Sequence, residues 1–231
     1  MPPVLVLDLD GTLVDTLDDL VAALNTILAR EGMAPVAREA ARPYVGHGSR
    51  AMLQAAFHAQ RRTLDPEALD RLWRDLIDDY SRHIADQSAP FAGAEAMLDR
   101  FAAEGWRIAI CTNKLERLSR QVLDSLRVTS RFAVIAGPDT FGVKKPDGRH
   151  ITETVRAAGG SLGDSVMVGD SIVDIEAARS AGVPVVGVSF GYSPVPIAEL
   201  RPDRVIGHFD ELWDAVAGLP AFSLTPLRAA P

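Results

Sequence analysis

Short runs of consecutive apolar residues alternate along this chain with longer stretches in which apolar positions recur at helical spacing. The runs fall at 4–9, 107–111, 132–136, 165–169, 184–188 and 204–206. Most are near-continuous, as expected of parallel strands buried on both faces. Helical spacing occupies about 94–104, 116–127, 147–158 and 171–181 between them. This strand–helix alternation predicts an α/β fold built on a doubly wound parallel sheet.

The segment 15–88 breaks the alternation and contains no convincing strand. Thr16 followed by Asp19 resembles a capping arrangement, after which Leu17, Leu20, Val21, Leu24, Ile27 and Leu28 mark one helical face. Asp65-Pro66 opens another helix with a cap residue and a first-turn proline. Leu69, Leu72, Trp73, Leu76, Ile77, Tyr80 and Ile84 continue it at bundle spacing, so Trp73 and Tyr80 read as bundle core rather than as ligand stackers. The predicted organisation is an α/β core of residues 1–14 and 89–231, with a small helical insertion of residues 15–88 placed over the strand ends as a cap. The proline- and alanine-containing tail at 219–231 reads as loosely ordered.

Composition narrows the class. With 231 residues and 47% hydrophobic positions, the chain can bury one large core together with a smaller insertion. A net charge of -7 argues against a nucleic-acid partner, which calls for a basic face. Cys111 is the single cysteine, so no intramolecular disulfide forms, and it reads as packing at a buried strand end. Met1-Pro2-Pro3 runs straight into a strand without a leader pattern, and no run reaches the length of a membrane span. A cytoplasmic monomer or homodimer, without a membrane partner, is expected.

Candidate chemistry gathers in four segments, each at the carboxyl end of a predicted strand, where open α/β sheets bind ligands. Asp8-Leu9-Asp10-Gly11-Thr12 comes directly after the unbroken apolar residues Val4-Leu5-Val6-Leu7 that open the first run. Two carboxylates this close need a cation or distinct surroundings that separate their protonation. Thr112-Asn113-Lys114 follows the second, where a hydroxyl and free backbone N–H groups can hold phosphate oxygens, although Thr112 also suits a helix N-cap. Lys144-Lys145-Pro146 comes after the third, with an ammonium able to offset charge on phosphoryl oxygens and on a nucleophilic carboxylate. Gly169-Asp170-Ser171 with Asp174 follows the fourth. Asp8, Asp170 and a backbone carbonyl can supply a Mg²⁺ shell, with Asp174 set slightly further out, although Asp174 also suits a helix N-terminus.

Taken together, Asp8-x-Asp10-Gly11-Thr12, Thr112-Asn113, Lys145-Pro146 and Gly169-Asp170 with Asp174 resemble the four motifs of the haloacid dehalogenase superfamily, and 15–88 resembles its small helical cap. Val45-Gly46-His47-Gly48, Thr112-Asn113-Lys114, Val143-Lys144-Lys145-Pro146 and Gly191-Tyr192 are similar, more narrowly, to the bacterial phosphoglycolate phosphatases. Gly148 departs from a proline that family members often carry after the Lys-Pro pair. The resemblance implies a Rossmann-type core and a Mg²⁺-dependent phosphatase in which Asp8 forms an aspartyl-phosphate. Asp10 would then serve as acid and base, Thr112, Asn113 and Lys145 would hold the phosphoryl group, and Asp8, Asp10, Asp170 and Asp174 would form the metal set.

The same resemblance sorts the reactions. Carbon–halogen hydrolases of the superfamily do not need the acid at Asp10, whereas phosphatases and phosphomutases do. Phosphonate cleavage calls for alanine at position 11 and a cap lysine, but Gly11 stands there and 15–88 has no lysine. The expected substrate is a small phosphorylated metabolite, 2-phosphoglycolate, hydrolysed to glycolate and phosphate. Other small phosphomonoesters such as a sugar phosphate or nucleotide, or pyrophosphate, form the first alternative, then a β-phosphoglucomutase-like phosphomutase, and last a non-catalytic binding protein. In the cap, Gly46, His47 and Arg50 are candidates to meet the substrate, with Arg50 either gripping a carboxylate or simply solvated. Lys114 is a further candidate for contacting the leaving group.

Overall fold

The computed structural model describes residues 1–220 and 222. In chain order the elements are β1 (Val4–Leu7), β2 (Val14–Asp15), α1 (Leu17–Arg30), α2 (Arg38–Ala41), α3 (Ser49–Ala59), α4 (Pro66–Arg82), β3 (Ala89–Pro90), α5 (Ala94–Ala103) and β4 (Arg107–Cys111). They continue with α6 (Glu116–Ser125), β5 (Val134–Ala136), α7 (Pro138–Phe141), α8 (Gly148–Ala157), β6 (Ser165–Gly169), α9 (Ile172–Ala181), β7 (Val185–Val188), β8 (Arg204–Ile206) and α10 (Leu212–Ala217).

Six strands form one sheet in the order β5-β4-β1-β6-β7-β8, and every pairing in it is parallel. The fold is therefore α/β, as the apolar runs predict. Side-chain alternation sends Leu5 and Leu7 into one apolar cluster, and Val4 and Val6 into another built with Ile151, Val155, Ile175 and Ala178 of α8 and α9. Both faces of β1 are thus covered, which accounts for its unbroken apolar run. Chain order reverses at β1, whose neighbours are β4 and β6, and a crevice at the carboxyl end follows from that reversal. Leu7 stands level with Ile110 and Val168, so the residues just beyond these strands share one edge.

The first strand is shorter than its apolar run because Leu9 leaves the ladder. Its carbonyl accepts from the N–H groups of Thr12, Leu13 and Val14, closing a tight turn. β2 and β3 then pair antiparallel, Val14 with Pro90 and Asp15 with Ala89, so the chain enters and leaves the helical segment side by side. Within that segment Leu17, Leu20, Val21, Leu24, Ile27 and Leu28 of α1 are buried, as are Leu72, Leu76, Ile77 and Tyr80 of α4. Asp65 caps α4 by accepting from Ala68 N–H at 2.8 Å. The capping arrangement expected at Thr16 does not form. Its hydroxyl donates to Asp10 instead, and Asp19 accepts from Gln87 N–H and Ser88, tying α1 to the returning strand.

Of the tail at 219–231, Leu219 and Phe222 are buried; residues 221 and 223–231, to which the expectation of loose order also applied, lie outside the described residues. No helix among the described residues is long and apolar enough to cross a membrane.

His150, in the first turn of α8, is fully buried beside the Ala136 and Gly137 backbone, and neither ring nitrogen completes a hydrogen bond among the described residues. Burial, reinforced by Lys145, lowers its pKa from 6.5 to about 4, against smaller opposing effects of backbone oxygens and Asp147. Between those two values the unfolded chain holds a proton that the folded chain does not, so stability falls as pH drops through this window. The effect amounts to about 3 kcal/mol when complete. Urea midpoints at pH 7 and pH 4.5 are expected to differ by less in His150→Gln than in the wild-type protein. Equal differences would contradict this assignment.

Candidate active site

The two acids after β1 have separate surroundings. Asp8 is buried, and its Oδ1 accepts from Leu9 N–H at 2.7 Å and pairs with Lys145 Nζ at 2.8 Å. Burial pushes its pKa up to about 6 against the pull of Lys145, with Asp174 and Asp10 adding to the rise. Asp10 accepts from the Thr16 hydroxyl at 2.6 Å and from Lys114 Nζ at 3.0 and 3.2 Å. Gly11, directly after Asp10, has a φ of +84°, and a Cβ there would meet Tyr192 Cδ2 at 2.6 Å and Asp170 Oδ2 at 2.7 Å. Only glycine suits both that backbone conformation and that approach.

β6 delivers the next carboxylates. Asp170 is buried, accepting from Tyr192 N–H at 2.6 Å and from the Thr12 hydroxyl at 3.2 Å. Its pKa rises well above the ordinary carboxylate value, first through burial and then through Asp174 and Asp8. Asp174 forms a capping box with Ser171, taking its N–H at 3.0 Å and its hydroxyl at 2.6 Å, and it also accepts from Lys145 Nζ at 2.6 Å. The dipole-complementing position and the place beside the site are therefore the same place.

Oxygens of Asp8, Asp170 and Asp174 all lie within 4.8 Å of one another. Three buried carboxylates facing one ammonium leave an excess of negative charge, which is costly unless a cation enters. The donors are all oxygen, which suits a hard cation such as Mg²⁺. The Asp10 carboxylate, expected in the metal set, is not in this group, and its oxygens accept from Thr16 and Lys114.

β4 ends at the second segment. Thr112 is buried and its hydroxyl accepts from Lys114 N–H at 3.2 Å. Asn113, expected to hold the phosphoryl group, has its side-chain amide committed to backbone: it donates to Gly46 O and Lys145 O at 3.1 Å each, and accepts from Lys145 N–H at 3.0 Å. Its contacts fasten the lysine loop to the loop before α3. Lys145 itself is buried between Asp8 and Asp174, which together outweigh burial and raise its pKa.

Above this floor lies a cavity of about 280 Å³ lined by Asp8, Asp10, Thr112, Asn113 and Lys114 from the core and by residues of α1, α3 and α4. Gly46, His47 and Arg50 line it too. The Arg50 guanidinium is already engaged, stacked 4.3 Å from the Trp73 ring centroid and paired with Asp70 at 2.5 Å, with its side chain 46% exposed. His47 is exposed.

Three contributions escape sequence reading. Trp73 and Tyr80, read as bundle core, both line the cavity, because the face of α4 that packs in the bundle also forms its wall. The Tyr80 hydroxyl accepts from Lys114 Nζ at 2.8 Å, and burial raises its pKa to about 12. Tyr192 fastens the entry to α1, its hydroxyl accepting from Thr16 N–H at 2.8 Å and Leu17 N–H at 3.1 Å and donating to Asp15 at 2.6 Å. The buried Cys111 thiol, raised to about 12, stays with packing.

The model of the family of haloacid dehalogenase-like hydrolases matches residues 5–188. A protein of Mesorhizobium japonicum named phosphoglycolate phosphatase is 46% identical over 210 residues, spanning 91% of this chain and 92% of its own. One of the same name from Agrobacterium fabrum is 46% identical over 217 residues, spanning 94% and 93%. The crystal structure of a predicted phosphoglycolate phosphatase from Haemophilus somnus superposes with a TM-score of 0.86 at 25% identity, covering 92% of this chain and 97% of that one.

Proposed function

The chain belongs to the haloacid dehalogenase-like hydrolase family, and we propose on that basis that it is a Mg²⁺-dependent phosphatase that hydrolyses 2-phosphoglycolate to glycolate and phosphate. One observation carries the reading: a buried carboxylate, Asp8, is paired with Lys145 at the floor of a cavity and adjoins Asp170 and Asp174, while Asp10 two residues on has partners of its own. The names of the sequence relatives support the substrate.

Asp8 attacks phosphorus, its carboxylate oxygen bonding as the ester P–O bond breaks. Asp10 gives a proton to the departing oxygen and then takes one from the water that cleaves the aspartyl-phosphate. Lys145 holds Asp8 in line and, with Thr112, offsets charge on the phosphoryl oxygens, while Asn113 keeps the Lys145 backbone in place. A divalent cation held by Asp8, Asp170 and Asp174 would add positive charge against those oxygens. The helical segment 15–88 acts as the cap that excludes water from the cavity.

Phosphate release across 2-phosphoglycolate, a hexose phosphate, a nucleoside monophosphate and pyrophosphate tests the substrate. The highest kcat/KM is expected on 2-phosphoglycolate. A higher value on any of the others contradicts the assignment, and conversion of a hexose phosphate to its isomer without phosphate release would mean a mutase.

A further inference from the structure

We propose that Lys114 and Tyr80 together form the subsite for a carboxylate on the leaving group, restricting the substrate class to phosphate monoesters that carry an anionic group on the carbon attached to the ester oxygen. This deepens the phosphatase reading above and rests on it. The ammonium of Lys114 lies 3.0 Å from Asp10, the group that meets the ester oxygen in that reading. An anionic group one carbon away from that oxygen therefore comes within reach of Lys114.

The hydrogen-bond inventory favours the assignment. An ammonium has three N–H donors. The two Asp10 oxygens, at 3.0 and 3.2 Å, subtend too narrow an angle for two N–H bonds and share one, and the Tyr80 hydroxyl takes a second, which leaves one for a ligand in the cavity that Lys114 lines. Tyr80 accepts from Lys114, and its own O–H proton has no acceptor among the described residues. The pair thus offers two adjacent donors, one from the core and one from α4, and two donors match the two oxygens of a carboxylate.

The other cations near the cavity are less suited. Lys145 is committed to Asp8 and Asp174, and Arg50 at the rim to Asp70 and Trp73. Lys144 is exposed. Leu20, Met52, Leu76 and Ile77 add apolar lining to a cavity whose other residues include His47 and Ser49. The apolar part offers the hydroxyls of a sugar no partners, which favours a compact anionic leaving group over a polyhydroxylated one.

The test compares kcat/KM for 2-phosphoglycolate with that for ethyl phosphate, which has the same carbon chain and no carboxylate. The wild-type protein is expected to prefer 2-phosphoglycolate by about 10²-fold or more. Lys114→Met should slow both substrates through the lost contact with Asp10, yet cut the preference at least about tenfold, with the loss concentrated in KM for 2-phosphoglycolate. Tyr80→Phe keeps the ring packing and should cut the preference several-fold, with the loss concentrated in KM for 2-phosphoglycolate, which covers the case of a Lys114 variant that does not fold. Equal slowing on both substrates with the preference intact in Tyr80→Phe, or in a folded Lys114→Met, overturns the subsite while leaving the phosphatase reading standing. A wild-type protein with no turnover of 2-phosphoglycolate overturns both.

Discussion

Asp8→Asn is expected to lower kcat/KM for phosphate release by at least about 10⁴-fold, the scale of a removed nucleophile, while the protein stays folded. An amide oxygen cannot form the acyl-phosphate, and nothing nearby replaces it: Asp170 is held by Tyr192 and Thr12, and Asp174 by Ser171 and Lys145. Stability is expected to survive for an electrostatic reason. Burial and the neighbouring acids already push the Asp8 pKa up to about 6, so its charge is costly in the folded state. Removing that charge relieves repulsion, while Lys145 keeps Asp174 as its partner. A continuous phosphate assay and thermal unfolding on the same samples separate the two effects. Lost activity with a matching loss of fold would point to a structural role.

Lys145→Met should damage both activity and stability. The ammonium is 1% exposed and lies 2.8 Å from Asp8 and 2.6 Å from Asp174. Removing one partner of a buried ion network leaves uncompensated charge, at a cost of about 3–5 kcal/mol. For a chain of this size that corresponds to a fall in Tm on the order of 10 °C. Because the stranded carboxylates belong to the same cluster as Asp170, added Mg²⁺ is expected to restore more stability to the variant than to the wild-type protein. Thermal shifts with and without Mg²⁺ measure this directly. A variant as stable as wild type in the absence of Mg²⁺ would contradict the proposed electrostatics.

The sheet was legible because β1, β4 and β6 are buried on both faces and their apolar runs have no polar interruption to hide them. Asp8, Thr112 and Asp170 were legible for the same reason, each being the first polar group or nearly so after such a run, and the structure brings those strand ends to one edge. The β2–β3 pairing was not legible, since two residues a side are too few to show a period of two, and Pro90 argues against a strand. Asn113 sits in the expected segment, but its backbone partners come from Gly46 and Lys145, far away in sequence. Thr16 reads as a helix cap until the fold brings Asp10 to its hydroxyl. Tyr80 lies on a stripe whose spacing is that of core packing, and periodicity does not separate the wall of a bundle from the wall of a cavity.

Passage of the phosphoryl group through Asp8 is tested by rapid quenching of a single turnover. Enzyme in excess over 2-phosphoglycolate, with Mg²⁺ present, is quenched in acid and digested, and the peptide containing Asp8 is weighed. A transient species heavier by one phosphoryl group is expected, localised to Asp8, decaying as free phosphate appears and absent in Asp8→Asn. Phosphate release from a fully active enzyme with no phosphorylated peptide at any time, together with an Asp8→Asn variant that retains turnover, would contradict it.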